Sequence, residues 1–181
     1  VVAYSQNLHF SSEDIGWGRG GGGFSEGFLD YLRNFRFTGD LWAIPEGTPI
    51  FPHEPILTVR APAVEAQLIE TYLLLTLNHQ ILVATKANRI TRAAQGRAVL
   101  EFGSRRAQGS SGAVIGARAA YIGGCAGTAC TVSDQLFGIP AAGTLAHSWV
   151  QMFHSPLAAF PAYCRLYPPN ATLPAHTYKP L

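Results

Sequence analysis

Two short segments of this 181-residue chain combine residue types that do chemistry. The first is Gly143-Thr144-Leu145-Ala146-His147-Ser148-Trp149, which follows the apolar run 136–142 and precedes an apolar stretch with helical spacing. It sets a hydroxyl and an imidazole three residues apart where a strand passes into a helix, a place where α/β proteins present reactive side chains. An imidazole shuttles protons near neutral pH and is a nucleophile. Thr144 is placed to cap the following helix and turn its N–H groups toward an anion. The plainer reading of the same residues is a capping threonine beside a packed histidine.

The second segment, Leu100-Glu101-Phe102-Gly103-Ser104-Arg105-Arg106-Ala107-Gln108-Gly109, reads as a strand released into a glycine-bounded turn. Its two guanidinium forks match phosphate and carboxylate, and Gly103 and Gly109 allow close approach. Alternatively, Arg105 and Arg106 make surface salt bridges of little energetic weight. Strand alternation turns Glu101 away from Leu100 and Phe102, and the expected partner of its carboxylate is a structural arginine, ahead of a ribose hydroxyl. An arginine pair and a histidine, both at strand ends, indicate a phosphate-handling site.

Other chemical candidates are weaker. Arg19-Gly20-Gly21-Gly22-Gly23 lacks the context of a phosphate-binding fingerprint and reads as a flexible turn. Asn78 and His79 sit in an apolar helical run, where structural hydrogen bonding is expected. His53, His154 and His176 are scattered, and Cys125, Cys130 and Cys164 form neither CxxC pairs nor an even disulfide set. A metal site is not expected, and a reducing, cytoplasmic setting fits best.

Composition narrows the class further. Charged residues make up 13% of the chain, about half the usual ~25%, so another chain or further sequence is expected to cover part of the surface. The net charge of +2 without a basic run argues against nucleic acid. The longest uncharged apolar stretch, 71–85, falls short of the roughly 20 residues that span a bilayer, and no signal peptide opens the chain. A membrane association is therefore not expected.

Residues 1–26 are weakly patterned, and Phe28 to Phe37 give an amphipathic helix with an extended end. A proline-punctuated β region follows, with strands expected at 41–44, 49–51 and 56–60. Residues 63–94 read as one or two buried helices. Then the chain alternates: strand 98–102, helix 112–122 ended by Gly123-Gly124, helix 131–137, strand 139–142, helices 145–153 and 156–166, and an extended piece at 171–176. Such alternation indicates a parallel sheet or barrel covered by helices.

At its motifs the sequence resembles the nicotinate phosphoribosyltransferase family. The likeness runs over about 28–167. It is carried by Phe28-Leu29-Asp30-Tyr31-Leu32, Phe35-Arg36-Phe37, Pro45-Glu46-Gly47-Thr48, Val83-Ala84-Thr85-Lys86-Ala87, the arginine segment, Ala119-Ala120-Tyr121-Ile122-Gly123-Gly124 and the histidine segment. The resemblance implies an α/β fold, part of an irregular α/β barrel with a small flanking β-rich α/β domain, as in type II phosphoribosyltransferases. Residues 1–97 would form the flanking region with long buried helices, and 98–181 the start of the barrel.

The implied activity is transfer of phosphoribose from phosphoribosyl pyrophosphate to nicotinate, giving nicotinate mononucleotide for NAD, coupled to ATP hydrolysis. His147 would be the phosphorylated catalytic residue, and Arg105, Arg106, Thr144 and Ser148 would bind substrate. ATP is a co-substrate and Mg an accompanying ion, with no tightly bound cofactor. The partners are a second copy, as in a homodimer, or the remainder of a longer chain. Alternatives are a nicotinamide- or quinolinate-type transferase, or an inactive nucleotide-binding relative working with a partner subunit.

The chain departs from the family pattern in three places. The N-terminal tyrosine that sandwiches the pyridine ring is not matched convincingly by Tyr4. His176-Thr177-Tyr178-Lys179 stands where an Asp-Thr-Tyr-Asp-like strand end is usual. Finally, the sequence stops where the rest of the barrel begins, so a fragment, a truncated relative or one piece of a longer enzyme is expected, with little activity alone.

Overall fold

The computed structural model describes residues 1–168, 171–174 and 177. The chain divides into two compact units, Val1–Ile81 and Leu82–Leu181.

The first unit opens with α1 (Val2–Asn7), α2 (Ser12–Gly20) and α3 (Glu26–Arg33). The weak pattern of the first 26 residues thus hides two helices. Helix α2 is set by its start: Ser11 Oγ accepts the Asp14 N–H, and the Asp14 carboxylate accepts the Ser11 N–H at 2.7 Å. This reciprocal pairing satisfies two otherwise orphaned donors. Bonds from the Ser11 hydroxyl and N–H hold the Asp14 carboxyl below the usual carboxylate range. The glycine run that follows is folded back, with Trp17 O accepting the N–H groups of Gly21 and Gly22.

Helix α3 has the expected amphipathic spacing, and Leu29 and Leu32 join Ile15 in a buried cluster flanked by Phe10, Phe28 and Leu68. The β region is a single hairpin of β1 (Asp40–Ala43) and β2 (Leu57–Arg60), paired antiparallel from Asp40↔Arg60 to Ala43↔Leu57. The strand expected at 49–51 is irregular. Pro49 lacks the N–H that a ladder needs, and Pro52 closes the piece.

Helix α4 (Ala63–Ala93) is one continuous helix through the boundary between the units. Its first turn buries Glu65, whose carboxylate accepts the Thr38 N–H at 2.7 Å and the Thr38 hydroxyl at 2.9 Å. Ile69 and Leu73 are buried, and Tyr72 stacks on Tyr4 with ring centroids 3.5 Å apart. The expectation of a buried helix does not hold along its length. Leu74, Leu75 and Leu82 are each more than 60% exposed, and Asn78 is exposed too. Apolar content reads as burial only when something packs on it, and these side chains are left to solvent in this chain.

In the second unit, Val83 and Ala87 of α4 pack with Ala120, Cys125 and Val99. Ala120 lies on α5 (Gly109–Ile122), whose small residues allow close approach. Gly123 caps α5, and its carbonyl accepts from Asn88 Nδ2 at 3.3 Å and Thr91 Oγ1 at 3.2 Å. Strands β3 (Leu100–Glu101) and β4 (Gly127–Thr128) pair parallel, Leu100 with Gly127 and Glu101 with Thr128. Thr128 also bridges Ala141 in parallel sense. The α/β alternation expected after residue 97 is therefore present, with the 139–142 strand reduced to one bridge and β4 as an unexpected addition.

Helix α6 (Thr131–Phe137) connects β4 to that bridge, and α7 (His147–Gln151) and α8 (Pro156–Leu166) follow. Leu145, Val150 and Ala159 form the buried cluster under them. Helix α7 is shorter than the 145–153 expected. Leu145 is buried and gives its N–H to Thr172 O at 3.2 Å, and the extended backbone of Ala146 (φ −74°, ψ 143°) sets the helix start at His147. Ala146 therefore holds the N-cap position, without a side-chain cap, and Thr144 is not the cap. Among the described residues no helix is long and apolar enough to cross a membrane.

Candidate functional site

The geometry starts from the parallel pairing. Parallel neighbours run in the same direction, so their C-terminal ends release the chain at one edge of the sheet. Strand β3 exits into residues 102–108, β4 into 129–130, and the bridge at Ala141 into 142–146. The arginine segment and the histidine segment are the first and third of these exits.

After β3 the backbone makes a tight 3-10 turn over Ser104–Arg106, with Arg106 N–H bonding Gly103 O at 2.8 Å. Arg105 and Arg106 are exposed, and neither forms an ion pair with a described residue. The surface salt-bridge alternative thus has no carboxylate to work with among the described residues. Two adjacent guanidinium groups on an exposed turn are equipped to meet an anion.

Glu101 does not hold an arginine, contrary to expectation. One of its oxygens accepts the Gly103 N–H. The other accepts the Thr128 hydroxyl at 2.6 Å, across the strand pair. Thr128 Oγ1 in turn accepts the Cys130 N–H at 3.0 Å. The carboxylate turned to donors within reach of its own strand end, a choice that strand alternation alone does not reveal.

His147 opens α7 and is exposed, with Ser148 beside it; Thr144 is exposed on the loop before it. The imidazole Nδ1 lies 3.0 Å from Thr177 Oγ1. Thr177 gives its single hydroxyl proton to Pro174 O at 3.1 Å. Thr177 thus links the imidazole that opens α7 to the backbone at Pro174.

Cys130 was not singled out by the sequence. It lies two residues past β4 and is half-buried. Hydrogen bonding from Ser133, through the hydroxyl before the N–H, outweighs desolvation and holds its thiol below the ordinary cysteine range. Burial, and secondarily the charge of Glu101, pushes Cys125 the other way. Thr128 was missed as well, because nothing in the Gly-Thr-Ala composition of its surroundings marks a strand.

No three His, Cys, Asp or Glu side chains gather among the described residues, and both Glu101 oxygens already hold protein donors. The departure noted at His176 and Lys179 lies outside the described residues.

Residues 1–78 match the model of the nicotinate phosphoribosyltransferase N-terminal domain. A nicotinate phosphoribosyltransferase of Mycobacterium tuberculosis, pncB2, is 47% identical over 173 residues, 96% of this chain and 37% of that protein. The Bacillus subtilis nicotinate phosphoribosyltransferase is 43% identical over 163 residues, 90% of this chain and 33% of its own. The crystal structure of the human nicotinic acid phosphoribosyltransferase superposes with a TM-score of 0.73 at 34% identity, covering 84% of this chain and 31% of that one. A Pyrococcus furiosus nicotinate-nucleotide pyrophosphorylase superposes at 0.71 and 29% identity, covering 76% and 35%. The chain thus spans about a third of the length of the relatives it matches. By sequence and by fold, it belongs to the nicotinate phosphoribosyltransferase family.

Proposed function

We propose that this segment supplies part of the active site of a nicotinate phosphoribosyltransferase. The enzyme transfers phosphoribose from phosphoribosyl pyrophosphate to the nicotinate ring nitrogen. Nicotinate mononucleotide forms for NAD synthesis, pyrophosphate leaves, and the reaction is coupled to ATP hydrolysis. The observation that carries this reading is the release of the arginine turn and the His147 segment from one edge of a parallel sheet. Identity of 47% to a named nicotinate phosphoribosyltransferase supports the substrate class.

In this scheme Arg105 and Arg106 hold the phosphates, with Thr144 and Ser148 completing the substrate contacts. Charge that develops as pyrophosphate departs is met by groups already in place, which is the largest source of rate enhancement in such sites. His147 accepts the γ-phosphoryl group of ATP with release of ADP, and water later takes that group from the imidazole as phosphate; Thr177 Oγ1, 3.0 Å from Nδ1, orients the ring. Coupling follows if the phosphorylated state binds phosphoribosyl pyrophosphate more tightly, by linkage. The sheet continues into an irregular α/β barrel, the enzyme works in the cytoplasm, and a second copy completes a dimer. Magnesium accompanies the phosphates as part of the substrate complex.

The test is made in a complete enzyme built around this segment. Labelled ATP should give an acid-labile phosphohistidine, absent in His147→Asn, which keeps weak, ATP-independent formation of nicotinate mononucleotide. Label that persists in the variant, or full ATP stimulation of it, would remove His147 from the scheme. Faster turnover of nicotinamide or quinolinate than of nicotinate would replace the substrate assignment.

A further inference from the structure

The arginine turn is held by groups that the proposed chemistry does not use. The Glu101 carboxylate folds back over its own strand end to take the Gly103 N–H, two residues before Arg105. A Cβ at Gly103 would stand 2.8 Å from Glu101 Oε1, so the glycine is what leaves room for this bond. The second carboxylate oxygen takes the hydroxyl of Thr128, which is fully buried. Thr128 has one hydroxyl proton and gives it to Glu101; its lone pair takes the Cys130 N–H. The backbone adds Ala129 N–H to Glu101 O at 2.9 Å. One carboxylate thus ties the exit of β3 to the exit of β4.

From this geometry we infer that Glu101, acting with Thr128, is the positioning residue of the arginine turn, fixing the backbone at Gly103 so that Arg105 and Arg106 are presented to the phosphates. The inference rests on the reading that these arginines hold phosphoribosyl pyrophosphate. An ionised carboxylate suits the task because it is acceptor-only and takes two donors at once. Charge-assisted bonds are also the strong ones, which favours one turn conformation over its alternatives.

The test is steady-state kinetics of the complete enzyme, separating KM for phosphoribosyl pyrophosphate from kcat, with thermal unfolding recorded for each variant. Thr128→Val keeps the shape and removes the hydroxyl. It and Glu101→Ala should each raise KM for phosphoribosyl pyrophosphate about tenfold or more, the scale of one charge-assisted hydrogen bond. The double variant should be no worse than the worse single one, because both break the same link. Thr128→Ser should restore the wild-type KM, and Glu101→Gln should fall between wild type and Glu101→Ala, since its amide keeps one acceptor.

If Glu101 instead touches substrate, Thr128→Val leaves KM unchanged, Glu101→Gln is as poor as Glu101→Ala, and the inference is overturned. It is also overturned if Arg105→Ala raises KM while Glu101→Ala and Thr128→Val do not. Should Arg105→Ala and Arg106→Ala both leave KM unchanged, the arginine reading itself fails and takes the inference with it. Thr128→Ser and Glu101→Gln keep the test decisive if either harsher variant does not fold.

Discussion

Replacing Gly123 with alanine should destabilise the second unit by about 2–4 kcal/mol. The new Cβ would stand 2.5 Å from Ala84 O and 2.7 Å from Ala87 Cβ, where ordinary contact begins at 3.4 Å. Neither neighbour is the end of a flexible side chain, so α4 and α5 must part by most of an ångström. Overpacking of this kind costs about 1–3 kcal/mol. Separation also loosens the bonds from Asn88 and Thr91 to the Gly123 carbonyl, each worth about 1 kcal/mol. Gly112, in the same helix, provides the control, because a Cβ there meets nothing within 4 Å. Gly112→Ala should therefore stabilise by about 0.5–1 kcal/mol through backbone entropy alone. Urea unfolding followed by far-UV circular dichroism reads both. The midpoint should fall for Gly123→Ala and rise for Gly112→Ala. If both variants shift the same way, or Gly123→Ala matches wild type, the close approach of α4 and α5 at this glycine is not as described.

Iodoacetamide should modify Cys130 before Cys125, with the pH profile of Cys130 centred below the ordinary thiol range and that of Cys125 above it; mass spectrometry that finds Cys125 labelled first would contradict the Ser133 hydrogen bonding. Ser11→Ala should destabilise α2 by about 1 kcal/mol, seen as faster amide exchange over residues 12–20. The Asp14 carboxyl is depressed, so its contribution is present above the ordinary carboxylate range and is lost as pH falls through the lowered value; exchange in α2 that is flat with acidification, after correction for the intrinsic rate, would argue against the paired cap. Glu65→Ala should destabilise the first unit by about 1–2 kcal/mol through loss of the two bonds to the Thr38 N–H and hydroxyl, and a chemical unfolding midpoint equal to wild type would mean that water replaces the carboxylate.

The parts legible in the sequence were those with local causes. Helix α4 shows itself as a long run without glycine or proline, and its observed span, Ala63–Ala93, falls one residue short of the expected end. The arginine segment announces its turn through Gly103 and Gly109, and α3 through the spacing of Leu29 and Leu32. What the sequence concealed depends on partners distant in the chain. Glu101 meets Thr128, 27 residues later, and no local pattern selects that hydroxyl over an arginine. Strand β4 has two residues, too few for alternation to register. Thr144 looked like a helix cap because the extended backbone of Ala146, which moves the helix start to His147, has no local signature. The exposure of Leu75 and Leu82 on α4 is a matter of what lies against them, which the helical period does not encode.

The order of the parallel strands has a consequence for synthesis. Each strand pairs with the one made just before it: β4 with β3, then Ala141 with Thr128. A nascent chain emerging at ~5–20 residues per second can therefore assemble this sheet vectorially, in the order in which its strands are made. The arginine turn acquires its anchor as soon as Thr128 emerges, whereas the Nδ1 partner of His147, Thr177, is translated only later. The turn that carries Arg105 and Arg106 is thus anchored before the Nδ1 partner of His147 has been made.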